Sequence, residues 1–136
     1  MNEKERLLGI TRLNDYINNR LEEIMRLRDM MTRTTSMVSD AVVTRTRNVT
    51  GIQDAIAAVI DLENELNTDI DRLVDMKRDA ERLISKVDDP LCKSILTYRY
   101  INCWTWKKIA KAVNLCERSV YRAHSRALEK LSEAKS

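Results

Sequence analysis

The stretch TWKKIAKAVNLCERSVYRAHSRALEKL, residues 105–131, decides the fold. Thr105 can cap a helix, and Ile109, Ala110 and Val113 recur on one face of the eight residues from Trp106 to Val113. Asn114-Leu115-Cys116 is a three-residue turn, and a longer, more basic helix is expected from Glu117 to about Leu131. On a helical wheel Val120, Ala123, His124, Ala127, Leu128 and Leu131 gather on one side. Arg118, Arg122, Ser125 and Arg126 share the opposite arc, and Glu129 joins them one turn on. Two helices joined by a short turn, the second carrying the cations, form a helix-turn-helix pattern.

That pattern points to double-stranded DNA. A major groove admits one helix, arginine pairs bidentately with guanine, and other cations neutralise phosphates. Arg118 and Arg122, with lesser polar contacts from Ser119 and Ser125, are therefore the candidates for reading base edges. Lys107, Lys108, Lys111 and Arg126 are the candidates for phosphate. The charge balance agrees: from Leu91 onward ten Lys and Arg face three Glu, a balance of +7, while the preceding 90 residues carry 14 basic and 18 acidic groups.

Upstream, Asp88-Asp89-Pro90 marks a boundary. The residue before a proline leaves helical geometry, Asp favours the N-cap, and Pro suits the first helical position. A helix is expected from Pro90 to Ile101, with Asn102 as a left-handed stop. Residues 1–89 read as a long helical hairpin, coiled-coil-like, with a flexible loop at 32–50 where six Thr, three Arg and two Ser interrupt the periodicity. Arg45 and Arg47 in that loop read as incidental linker charge. The first hairpin helix carries Ile10, Leu13, Ile17, Ile24, Leu27 and Met31. The second, from Gly51 to Val87, is too long to bury its stripe alone, and Ile52, Ile56, Val59, Leu66, Ile70 and Leu73 are the expected oligomerisation residues, with a dimer favoured. The fold class is all-α: this hairpin at 1–89, then a DNA-binding helix-turn-helix module at 90–136.

The runs Ile95-Leu96-Thr97-Tyr98-Arg99-Tyr100-Ile101, Thr105-Trp106-Lys107-Lys108-Ile109-Ala110, Ser119-Val120-Tyr121-Arg122 and Arg126-Ala127-Leu128 resemble region 4 of bacterial sigma factors. The chain is more similar still to small phage transcriptional regulators of Gram-positive bacteria, the RinA, ArpU and LtrC-like group. That resemblance implies sequence-specific DNA binding near late-gene promoters with activation of transcription; RNA polymerase is a candidate further partner. Cys103 and Asn114 stand where the sigma-like pattern usually has Gly, and Cys116 where Ser or Thr would cap the recognition helix. Two other readings share these features: an adaptor whose helical arm binds polymerase or another protein, with weak non-specific DNA contacts, and a recognition subunit for phage DNA packaging.

Other classes fit poorly. Two Gly and one Pro in 136 residues, with 33% charged residues, leave little punctuation for strands or phosphate loops. Three Cys without a C-x-x-C pair and one His give no basis for a disulfide framework or a metal site. His124 falls on the inward side of its helix and reads as a core histidine; Trp104 and Trp106 read as closing the small core rather than stacking on bases. No nucleophile with a base and orienter is recognisable, so no catalytic residue, enzyme activity or cofactor is expected. The charged N-terminus is unlike a signal peptide and no apolar run approaches a membrane span, so a cytoplasmic protein of the bacterial host is expected.

Overall fold

The computed structural model describes residues 2–38 and 45–135. Among them the chain is all-α: α1 (Glu3–Val38), α2 (Arg45–Ile84), α3 (Pro90–Leu96), a π-helical turn (Thr97–Ile101), α4 (Trp106–Val113) and α5 (Glu117–Lys135), with no strand. No helix among these residues is long and apolar enough to cross a membrane.

Local chemistry sets the boundaries of the short helices. Asp89 caps α3, its Oδ1 accepting the backbone N–H of Leu91 at 3.0 Å and of Cys92 at 3.3 Å, with Pro90 at the first helical position. Those bonds hold the Asp89 carboxyl below its ordinary pKa, the Cys92 N–H contributing most, and Lys130 Nζ lies 3.6 Å from Oδ2. Thr105 Oγ1 accepts the Lys108 N–H at 3.3 Å and starts α4. Asn114, in the left-handed region at φ 58°, ends it, and the Leu115 N–H returns to the Ala110 carbonyl at 3.1 Å.

The chain forms two compact units, Met1–Asn14 with Arg72–Ser136, and Asp15–Asp71. In the first, Leu7, Ile10, Ile84, Val87, Cys92, Ile95, Leu96, Ile109, Val120, Ala123, Ala127 and Leu131 are buried. Gly9 makes a close approach of α1 to α2 possible there: a Cβ at this position would stand 3.3 Å from Met76 Cε. In the second, Ile17 and Ile24 of α1 and Val59 and Leu66 of α2 are buried, and Arg28 is ion-paired with Glu63. In each unit these contacts set an earlier stretch of α1 beside a later stretch of α2, as antiparallel neighbours require.

Four boundaries differ from the sequence expectation. The compact units do not divide at residue 90, because the first 14 residues and the end of α2 join the C-terminal helices. Residues 32–38 and 45–50, assigned to a loop by composition, are helical, and the remainder, 39–44, lies outside the described residues. The helix from Pro90 changes to a π-turn at Thr97, where the Asn102 N–H reaches back five residues to the Thr97 carbonyl at 3.0 Å. Asn102 is right-handed, at φ −82°, and the left-handed residue is its neighbour Cys103, at φ 56°.

Candidate nucleic-acid interface

The C-terminal helices enclose a small core. Ile95 of α3, Ile109 and Ala110 of α4, and Val120 and Ala123 of α5 are buried together, with Leu91, Tyr98, Trp104, Trp106 and Val113 packed on them. The small side chains at 110 and 123 permit close helix approach. Trp104 stacks on Tyr98 with ring centroids 4.6 Å apart, and Trp106 meets Tyr121 and His124 edge-on at 5.2 and 4.7 Å. Both indoles thus line the core, as expected, and neither is a free stacking platform.

Outside this core the cations stand in solvent. Lys107, Lys108 and Lys111 of α4 and Arg118, Arg122 and Arg126 of α5 are all exposed, and none has an acidic partner within ion-pair distance among the described residues. Lys108 Nζ lies 4.3 Å over the Trp104 ring, which anchors its stem near the start of α4. Both helices therefore offer unneutralised positive charge, the electrostatic requirement for a polyanion.

Two expected base readers occupy less open positions. Ser119 is half-buried, with its Oγ 3.2 Å from Cys116 Sγ, so part of its hydrogen-bonding capacity is engaged. That side-chain bond, followed by the backbone N–H of Ser119, draws the Cys116 thiol below its ordinary pKa. A cysteine thus occupies the capping position of α5, and the Val120 N–H closes the first turn on its carbonyl at 3.0 Å. Ser125 is exposed but lines a groove of about 370 Å³ with Asn2, Glu3, Lys4, Leu128, Glu129 and Ser132. The start of α1 stands beside the second half of α5, which leaves the first half, with Arg118 and Arg122, as the open part of the arc.

The expected oligomerisation residues fall into two sets. Val59, Leu66 and Leu73 are buried within the chain itself and Ile52 is half-buried, whereas Ile56 and Ile70 are exposed.

Three features escaped the sequence. Tyr100 Oη is hydrogen-bonded to His124 Nε2 at 2.7 Å, and burial, then the charges of Arg99 and Lys4, push His124 down to about 4. Arg99 clamps the module: its Nη1 donates to the Trp104 carbonyl at 2.9 Å and its Cζ sits 4.5 Å over the Trp106 ring. The first turn of α1 lies against α5, for which no local motif exists. Among the described residues no group of His, Cys, Asp and Glu could hold a metal ion.

The chain belongs to the family described as protein of unknown function (DUF722), whose profile matches residues 7–133. No curated protein and no solved structure matches it.

Proposed function

We propose that this family member is a sequence-specific double-stranded DNA-binding regulator of phage or prophage transcription. Its α5 would enter the major groove, with Arg118 and Arg122 on base edges and a minor contribution from Ser119. Lys107, Lys108, Lys111 and Arg126 would hold phosphates, and α1 and α2 would bring two copies together in the host cytoplasm. The observation that carries this reading is the α4–Asn114–α5 arrangement: a left-handed turn between two helices that share a buried small-residue seam and turn six exposed cations to solvent.

The supporting physics is joint. A solvated basic helix alone is common, but here the cations lack acidic partners within ion-pair distance and the Asn114 turn joins α4 and α5 over a shared buried core. The resemblance to sigma region 4 and to the phage regulators supplies the regulatory part of the proposal. The test is repeated selection of bound sequences from a random duplex pool by the full chain. Enrichment of a defined motif, lost with the double change Arg118→Ala and Arg122→Ala, is the expected result. A pool that stays flat at low salt overturns it.

A further inference from the structure

The buried row of α2 recurs every seven residues, at Val59, Leu66 and Leu73, and faces its own chain. Beside it runs a second row, Ile56, Ile60, Glu63, Asn67, Ile70 and Val74, whose apolar members stand open to solvent while Glu63 is ion-paired with Arg28 of α1. Its four apolar members are 42, 51, 37 and 41% exposed, in chain order. The spacing alternates four and three, which is the seam of a coiled coil. Four half-exposed β-branched side chains in that register along one helix are an unmet packing surface rather than scattered surface apolarity.

The row is also symmetric about Glu65. Reversed end to end, it lays Ile56 on Val74 and Ile60 on Ile70, so apolar meets apolar, with Glu63, already paired with Arg28 of its own chain, level with Asn67. A two-fold interface requires this self-complementarity, in which residue i meets j and j meets i. The adjoining row of Ala57, Asn64 and Asp71 sets Asp71 against Ala57 and Asn64 against itself, so no like charges oppose each other. On α1, Leu21 and Met25 are exposed at 41 and 68%, and their row is symmetric about residue 23. Reversal there lays Leu21 on Met25. The Arg28–Glu63 ion pair holds residue 23 of α1 within one turn of residue 65 of α2, so the two centres of symmetry coincide to that extent.

We infer that a second copy of this chain docks on this face, α2 antiparallel on α2 about a two-fold axis level with Glu65, with α1 on α1 alongside. This rests on the self-association in the proposed function and names its surface: Ile56, Ile60, Ile70 and Val74, with Leu21 and Met25, in place of the row already buried within the chain.

Sedimentation of the full chain without DNA tests it. The expected mass at tens of micromolar is twice the 15.8 kDa of one chain. The double variant Ile60→Asp with Ile70→Asp, checked for unchanged helicity by circular dichroism, should be monomeric. Ile60→Asp with Ile70→Lys sets unlike charges opposite each other only in the antiparallel pairing, and should dimerise at least about tenfold more tightly than the Asp/Asp chain. As a check that does not depend on the stability of charged variants, Ile60→Cys with Ile70→Cys should cross-link on oxidation, whereas Ile60→Cys alone should not exceed the parent chain. A monomeric parent, an Asp/Asp chain that still dimerises with its helicity intact, equal behaviour of the two charged variants, or cross-linking by Ile60→Cys alone overturns the interface. None of these measurements contains DNA, so their failure leaves the selection experiment standing, and a flat selection leaves the interface standing.

Discussion

Tyr100 Oη and His124 Nε2 lie 2.7 Å apart, and this pair joins the π-helical turn to the middle of α5. Burial holds the phenol above its ordinary pKa and the imidazole at about 4, so at neutral pH both are uncharged and hydrogen-bonded. The pair therefore ties the α3 side of the module to the helix proposed to read DNA.

A pH dependence follows, and its sign is fixed. His124 takes a proton near 6.5 when unfolded and only near 4 when folded, so between those values the unfolded chain binds more protons. The stabilising contribution is whole above about 6.5 and is lost as pH falls toward about 4. After burial, the charges of Arg99 and then Lys4 add to the loss, because each disfavours a protonated imidazole. Asp89, held below 3.8, titrates under this window and does not confuse it. The melting temperature should decline between about pH 6.5 and pH 4.5, and His124→Gln, which keeps an acceptor for Tyr100 but cannot titrate, should flatten that decline. Equal slopes in the two chains would remove His124 as the cause.

Cys103 offers a backbone test. Its φ of 56° costs a side chain with a Cβ on the order of 1 kcal/mol, a penalty glycine does not carry. Against this stands the contact of its Sγ with the Tyr100 carbonyl at 3.6 Å, a weak hydrogen bond. Cys103→Gly should leave stability level or raise it by up to about 1 kcal/mol, and Cys103→Val should lower it by more than about 1 kcal/mol because β-branching worsens the strain. Thermal unfolding of both variants measures the difference; a glycine variant less stable than the valine variant would contradict it.

Asn114 is left-handed, a geometry asparagine tolerates, whereas the left-handed residue before α4 is Cys103 and not Asn102, a choice that no local rule announced. Thr105, Asn114 and Pro90 announce helix ends by capping rules that need no tertiary context. The Thr-rich segment misled because β-branched residues disfavour helices only weakly; Thr32 Oγ1 bonds the Arg28 carbonyl at 3.0 Å inside α1. Periodicity placed Ile56, Val59, Leu66, Ile70 and Leu73 on one side of α2. It could not say which of two adjoining rows meets α1, since both repeat every seven residues. The approach of Lys4 to His124 joins residues 120 apart in the chain and has no sequence signature.

The salt dependence of the proposed DNA binding tests the phosphate assignments. Each cation that neutralises a phosphate releases condensed counterions, so affinity should fall steeply as salt rises. Lys107→Ala and Lys111→Ala should each reduce the slope of log affinity against log salt by about 1 and weaken all sequences alike. Lys108, drawn over the Trp104 ring, should contribute less to the slope than either neighbour. Fluorescence anisotropy titrations across a salt series measure all three. Slopes that match the parent chain would place the phosphates elsewhere.

In the proposed function, the residues that would read DNA and those that would hold it separate along α5. Arg118 and Arg122 are one turn apart in its open first half, where recognition helices meet base edges, while Arg126 is a further turn along, level with Ser125 and the start of α1. A bidentate contact to guanine is worth about 1–3 kcal/mol on the matching site and little on random DNA, whereas a phosphate contact weakens every site equally. Arg122→Ala should therefore lower affinity for the selected site about tenfold to a hundredfold and relax preference at one or two positions, with Arg118→Ala acting on neighbouring positions. Arg126→Ala should lower affinity by one common factor on all sequences. Ser125→Ala, at a side chain facing the groove with Asn2, Glu3 and Lys4, should leave sequence preference unchanged. Competition of each variant against the selected site and its single-base changes measures the pattern. If Arg122→Ala weakens every sequence by the same factor, base reading does not pass through that residue.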